Sequence, residues 1–227
     1  MPAAAPEFSV VIPCFNERDN IVALAGEVRA ACGGTDYEIV VVDDCSTDDS
    51  IAVLSAAQPG FEGRLRVVRH GVNSGQSAAV CTGVDFARGR AIVTMDGDGQ
   101  NDPADIPRLL SVLRQAGADV PLIVCGHRRQ RRDTAVRRLS SKIANAVRAA
   151  ALQDATPDTG CGLKALEREL FMRLPRFNHM HRFLPALVQR AGGRSVSVEV
   201  HHRPRLHGQS KYGIGNRLWV GIVDLFG

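Results

Sequence analysis

The sequence has no apolar run approaching the roughly 20 residues that a membrane-spanning helix requires. Its first residues, MPAAAPEF, lack the charged region and following apolar stretch of a secretory signal. Six cysteines are scattered at Cys14, Cys32, Cys45, Cys81, Cys125 and Cys161, and no pair has metal-finger or redox spacing. They read as buried thiols of a reducing compartment. No internal repeat or low-complexity segment is present. The expected location is cytoplasmic, at most peripheral on the cytoplasmic face of a membrane. Neither sign of charge dominates: the net charge of +4 is too mild to name a partner, so the distribution of charge carries the argument.

A hydrophobic content of 44% over 227 residues suits one α/β domain, or such a domain with a small appendage. Apolar runs predict strands at residues 8–13, 37–42, 65–69, 91–95 and 122–125, with a late alternating strand at 195–200. Between them, Ile21, Leu24, Ala25, Val28 and Ala31 share a helical face that Gly33-Gly34 end. A second helix runs to about Gln58, with Ser46 or Thr47 able to cap it. Further helices are predicted at 76–87, 106–116 and 134–152. Ala78, Ala79 and Gly83 would let the third lie close to a neighbour. Strand and helix alternating at this spacing argue for a doubly wound parallel sheet, whose ligands bind at the carboxyl ends of the strands.

The centre of the chain is VTMDGDGQND, residues 93–102. Asp96 and Asp98 stand one residue apart at a strand end, and Gly97 and Gly99 let the backbone turn between them. Hard oxygen ligands of this kind suit Mg²⁺ or Mn²⁺, which are held by one or two carboxylates plus substrate phosphates. Asn16-Glu17 and Asp43-Asp44 also follow strands, so three acidic clusters fall on one sheet edge. A solvated turn explains each singly but not all three. Residues 127–138, HRRQRRDTAVRR, hold six arginines and one aspartate, and Asp158-Thr159-Gly160-Cys161-Gly162 form a second glycine-rich turn. His179, His181, His201 and His202 read as surface or packing residues. At the end, Ile214, Leu218, Ile222 and Phe226 share one helical face, with Trp219 and Leu225 beside it. Asn216, Arg217 and Asp224 lie opposite. The pattern fits an interfacial amphipathic helix and equally a core-packing one.

The runs FSVVIPCFNE, VVVDDCSTDDS, NSGQSAA and MDGDGQNDP resemble the family 2 inverting glycosyltransferases of the GT-A fold. GHRRQRRDTAVRRLSSK, DTGCGLKAL and RPRLHGQSKYG narrow the resemblance to the polyprenyl-phosphate glycosyltransferases, dolichol-phosphate mannosyltransferase and the bacterial undecaprenyl-phosphate sugar transferases among them. It spans residues 8–213, nearly the whole chain. It implies an α/β fold with a mostly parallel, Rossmann-like sheet flanked by helices over residues 1–213, and a C-terminal amphipathic segment at 214–227. By motif, Pro13, Phe15 and Glu17 would contact the nucleotide, and Asp44 its base or ribose. Asp96 would stand at both nucleotide and metal. Asp98 would bind the Mg²⁺ or Mn²⁺ with it, and Gln100 would complete that shell. Arg128 and Arg137 would meet phosphates. Arg205 and Lys211 would close over the acceptor or leaving phosphate. Asp158 lies where relatives with hydroxyl acceptors keep their acid/base region. Many relatives continue into transmembrane segments where this chain stops.

The chemistry agrees with these implications. Sugar transfer from a nucleotide diphosphate sugar builds negative charge on the leaving group, and cationic donors set in place stabilise it. Arginine suits phosphate because its fork binds bidentately. A lipid phosphate is already ionised near neutral pH and needs positioning more than deprotonation. A wall of arginines with no histidine at a motif position matches that need. The partners implied are a GDP- or UDP-sugar, with GDP-mannose the first guess, a polyprenyl phosphate and a membrane surface. A saccharide hydroxyl acceptor is the nearest rival and predicts an essential carboxylate near Asp158. A nucleic-acid-binding module is a rival of another class, disfavoured because the arginines lie beside an acidic cleft with few aromatics to stack on bases. PCFNE is not the glycine-rich phosphate loop that a nucleotidyltransferase would carry.

Overall fold

The computed structural model describes residues 5–117, 120–128 and 156–205. The predicted helix at 134–152, the segment at 214–227, Arg137, Lys211 and the arginine run from 129 onward lie outside the described residues.

Seven strands form one sheet: β1 (Phe8–Cys14), β2 (Tyr37–Asp43), β3 (Leu65–Arg69), β4 (Ala91–Thr94), β5 (Leu122–His127), β6 (Lys164–Glu167) and β7 (Arg194–Glu199). Their order is β3-β2-β1-β4-β6-β5-β7. All run the same way except β6, which pairs antiparallel with β4 and β5. The sheet is therefore mostly parallel, as expected, with one antiparallel strand. Strand β6 leaves no periodic signal in the sequence, because KALE is only four residues long with a charged residue at each end.

The helices are α1 (Ile21–Cys32), α2 (Ser50–Ala57), α3 (Gln76–Phe86), α4 (Ile106–Gln115), α5 (Arg168–Arg173) and α6 (Leu184–Arg190). Short 3₁₀ turns sit at Gln58–Phe61, Pro103–Asp105 and Met180–Arg182. The second predicted helix starts later than expected. Its cap position is Asp49, and Ser46 and Thr47 instead bond to Asn16 in the preceding turn. Neither α5 nor α6 was predicted, because each is shorter than the window in which helical periodicity shows.

Strands β1 and β2 are buried on both faces, as their unbroken valine and isoleucine runs require. Val10, Ile12, Ile39 and Val41 join the core beneath α1 and α4, with Ile21, Leu24, Val28, Ile106 and Leu109. Val11 faces the other layer, against Val80 and Val84 of α3 and Phe171 of α5. A Cβ on Gly83 would come within 2.3 Å of Val11 Cγ1, so the close approach of α3 to β1 depends on that glycine. Glu38, 1% exposed, is paid for by Arg66 and Arg88 at 3.2 and 2.9 Å and by the Ser9 hydroxyl. No helix among the described residues is long and apolar enough to cross a membrane.

Candidate active site at the carboxyl edge of the sheet

The loops after β1, β2 and β4 meet at one edge. The first is tied to the second through Asn16, whose backbone takes a left-handed φ of 54°. Asparagine tolerates that conformation because its side chain bonds locally. Here its amide spans the gap to Thr47, and its backbone N–H donates to Ser46 Oγ. The Glu17 backbone N–H donates to Ser50 Oγ, and its buried carboxylate accepts from Asn20. Pro13 lines the cleft beside Asp96, and Phe15 is half-buried in the same loop.

Asp44 has a structural task. One carboxylate oxygen accepts from the Ser74 N–H at 2.8 Å and pairs with His70 Nδ1 at 2.7 Å; the other accepts from the Gly75 N–H at 2.8 Å. The acid therefore shapes the 73–75 turn that starts α3, and Gly75 supplies the φ of +88° needed there.

Asp96 and Asp98 follow β4. The Asp96 N–H donates to the Asn101 side chain, and its Oδ1 accepts from Gln76 at 2.8 Å. Gly162 is pressed against it: a Cβ there would stand 2.3 Å from the carboxyl carbon. The turn carrying Gly162 is held by Thr94, whose hydroxyl donates to the Gly162 carbonyl. Burial, and then the charge of Asp98, push the Asp96 carboxyl above its usual range, against the opposing pull of Lys164 and Arg128. Asp98 Oδ2 accepts from Arg205 Nη2 at 2.6 Å, and its Oδ1 accepts from the Gln100 N–H. Arg205 also reaches toward Glu17 at 4.0 Å. Gln100 anchors the returning chain, since its carbonyl accepts from the Arg203 N–H and its side-chain amide donates to the Arg203 carbonyl.

Arg128 and Asp158 form a buried, two-pronged pair, with Nε to Oδ2 at 2.7 Å and Nη2 to Oδ1 at 2.9 Å. The Arg128 backbone N–H also bonds Asp158. Burial opposes the charge on Arg128, but the Asp158 carboxylate outweighs it and holds the guanidinium ionised.

Among the described residues, the structure brings Glu17, Asp96, Asp98, Gln100 and Arg205 together, with Arg128–Asp158 on the adjoining wall. Two site residues escaped the sequence reading. Lys164, 3% exposed, lines the cleft beside Asp96 and donates to the Cys161 carbonyl. Its one signal was a charge inside the apolar GLKAL. His181 was read as a surface or packing residue. Its Nδ1 lies 2.7 Å from Ser77 Oγ, in the wall of that cleft. Burial, helped by the nearby charge of Lys164, pushes its pKa down to about 3, so the ring is neutral. His201 lies at the surface, bonded to Asp105 through its N–H and Nδ1. Its neighbour His202 bridges to Asn101.

The donor set fits a divalent cation of the Mg²⁺ type. Two hard carboxylates, Asp96 and Asp98, lie close enough to feel each other's charge. Such a pair leaves the remaining positions to water and phosphate oxygens, as small hard cations favour.

A Rossmann-like sheet with paired acids and cations at its carboxyl edge defines the doubly wound α/β class, whose ligands bind at that edge. The family model described as Glycosyl transferase family 2 matches residues 9–174, and the chain belongs to that family. It is 38% identical to a dodecaprenyl-phosphate galacturonate synthase of Rhizobium johnstonii, over 99% of this chain and 67% of the relative. It is 36% identical to an undecaprenyl-phosphate 4-deoxy-4-formamido-L-arabinose transferase of Aeromonas hydrophila, over 91% of this chain and 63% of that protein. The chain thus spans about two thirds of the length of these relatives. Glucosyl-3-phosphoglycerate synthase from Mycobacterium tuberculosis, solved with Mg²⁺ and uridine diphosphate, shares the GT-A fold. Its TM-score is 0.71 at 20% identity, covering 98% of this chain and 80% of that one.

Proposed function

We propose that the protein transfers one sugar, with inversion, from a nucleotide diphosphate sugar to a polyprenyl phosphate at a membrane surface. The observation that carries this reading is the Arg128–Asp158 pair. A hydroxyl acceptor needs a base, and Asp158 is the carboxylate expected to act as one. Both of its oxygens are bonded to Arg128, so it serves as a positioning residue that fixes a cation. A phosphate acceptor needs that cation and no base. The names of the Rhizobium and Aeromonas relatives, both of which carry a polyprenyl phosphate, support the same acceptor. They also weigh against mannose as the donor sugar, since one names galacturonate and the other a formamido-arabinose.

Asp96 and Asp98 would hold a Mg²⁺ or Mn²⁺, with Gln100 orienting Asp98 through its backbone N–H. When bound, the ion supplies Lewis-acid neutralisation of the leaving diphosphate. Asp44, through the 73–75 turn, builds one wall of the nucleotide site, and Pro13, Phe15 and Glu17 build the other. Arg128 is held ready for a phosphate oxygen by a partner that cannot follow it into solvent. Arg205, paired with Asp98 here, would meet a phosphate if that carboxylate held the cation. Arg137, Lys211 and the 214–227 segment would complete the phosphate wall and the membrane contact.

The test is a transfer assay read by mass spectrometry. Detergent-dispersed polyprenyl phosphate is offered with Mg²⁺ or Mn²⁺ and a panel of GDP- and UDP-sugars, with Asp98→Ala as control. The expected result is a metal-dependent lipid-phosphate-sugar product that the control lacks. Nucleotide release driven by saccharide acceptors instead would establish the hydroxyl-acceptor reading.

A further inference from the structure

At the opposite end of the sheet, the last turn of α1, the start of β2 and the 3₁₀ turn before β3 enclose a second cavity of about 160 Å³. A single ordered water needs only roughly 10–15 Å³. Arg29, Tyr37, Phe61, Glu62 and Arg64 line the space. Strand β2 runs seven residues from Tyr37 here to Asp43 at the carboxyl edge, so about 20 Å of strand separates this cavity from the catalytic side.

Tyr37 is 2% exposed, and its hydroxyl is buried with no hydrogen-bond partner among the described residues. Buried polar groups are almost always satisfied, so an orphaned hydroxyl marks a missing partner. The charges that act on it include those of Arg64, Arg29 and Glu62, all of which line the cavity, so the hydroxyl end of the ring lies on the cavity side. Burial pushes the phenol pKa up, and the hydroxyl keeps its proton for donation. Two guanidinium groups are fixed beside it. Arg64 lies 5.0 Å over the Tyr37 ring, and Arg29 lies 5.1 Å over Phe61. Arg29 gives one N–H to the Gly60 carbonyl at 2.8 Å, and Arg64 gives one to the Thr35 carbonyl at 3.3 Å. A guanidinium carries five N–H donors, so both keep donors to spend.

The cavity thus gathers donors from three side chains and an excess of positive charge. Donors converging from three residues suit a tetrahedral oxyanion, whose oxygens point in several directions, better than a planar carboxylate. None of the exposed large apolar side chains among the described residues lines the cavity, which favours a soluble anion over a lipid headgroup.

We propose that Arg29, Arg64 and Tyr37 form a second anion site, at the amino edge of the sheet, that takes the phosphate of a small soluble phosphate monoester. The site stands independently of the transferase reading, because all three residues lie at the edge opposite the acids.

The test is calorimetric titration of the intact chain with inorganic phosphate and with glycerol phosphate at low ionic strength. Saturable binding is expected. Tyr37→Phe and Arg64→Gln should each weaken it by about 10- to 100-fold, the worth of a hydrogen bond to a charged group. Because the hydroxyl has no partner in the free protein, Tyr37→Phe should unfold at a urea midpoint no lower than the wild type, which also shows that it is folded. Phosphate should raise the wild-type midpoint more than that of Arg64→Gln. Absence of saturable binding by the wild type overturns the proposal. So does binding that both folded variants retain in full, since the anion then sits elsewhere. Displacement of phosphate by vesicles containing phosphatidic acid, but not by glycerol phosphate, overturns the soluble class of ligand.

Discussion

Arg205 Nη2 lies 2.6 Å from Asp98 Oδ2, so a guanidinium occupies the carboxylate that a divalent cation would use. The two cations would compete for one anion. With Asp98 engaged by an ion, Arg205 would be available to a phosphate.

That competition has a measurable sign. Arg205→Gln should bind Mn²⁺ in the absence of donor about 5-fold more tightly than the wild type, the worth of ~1 kcal/mol for a partly exposed ion pair. Electron paramagnetic resonance of free Mn²⁺ reads this directly. Transfer by the same variant should fall by about 10²-fold, as expected when a preorganised phosphate donor is lost. Unchanged Mn²⁺ affinity would show that the pair does not gate the metal.

Asp158→Asn separates positioning from base catalysis. With the buried pair broken, the protein should lose about 3–5 kcal/mol of stability by urea unfolding. The phosphate-acceptor KM should rise more than kcat falls, because Arg128 loses its alignment. The acidic limb of the pH–rate profile should stay where it is. A vanished limb would mark Asp158 as a base.

Gly162→Ala tests the packing behind Asp96. The added methyl would stand 2.3 Å from the Asp96 carboxyl carbon, so one of the two must shift. Displacement of a reacting group by about 1 Å can cost on the order of 10²-fold in rate. The expected outcome is a loss of that size in transfer and weaker Mn²⁺ binding, with the far-ultraviolet circular dichroism spectrum unchanged.

Glu38 lies on β2, remote from the chemistry, and gives a pH signature of stability alone. Burial by itself would raise its pKa. The Arg88 N–H, the Ser9 hydroxyl, Arg66 and the Arg88 side chain outweigh that and hold it below the usual carboxylate value. A depressed folded-state pKa stabilises the fold above the unfolded value, and the contribution is lost as pH falls through the folded value. Glu38→Gln should therefore be less stable than wild type at pH 7, and the gap should close as the pH falls below the ordinary carboxylate range. Urea midpoints measured across that range check it.

Periodicity and residue type alone were enough for the alternating strands and helices up to residue 115. Strands β1 and β2 are buried on both faces, so their valine and isoleucine runs are unbroken, and α1 is long enough to show its stripe. The placing of Asp44, Asp96 and Asp98 at one edge followed from the same pattern, because parallel strands bring their carboxyl ends together. The motif resemblance named the family before any coordinate did.

Contacts between residues distant in the chain were decided only by the tertiary structure. The reversal of β6 puts Lys164 beside Thr94 and so beside Asp96, a pairing that four residues of sequence cannot announce. His181 meets Ser77 from 104 positions away, and Arg128 meets Asp158 across 30. Local sequence carries the period of a strand or helix because backbone geometry repeats over a few residues. Which charge ends beside which carboxylate depends on how the layers stack, and no repeat along the chain encodes that.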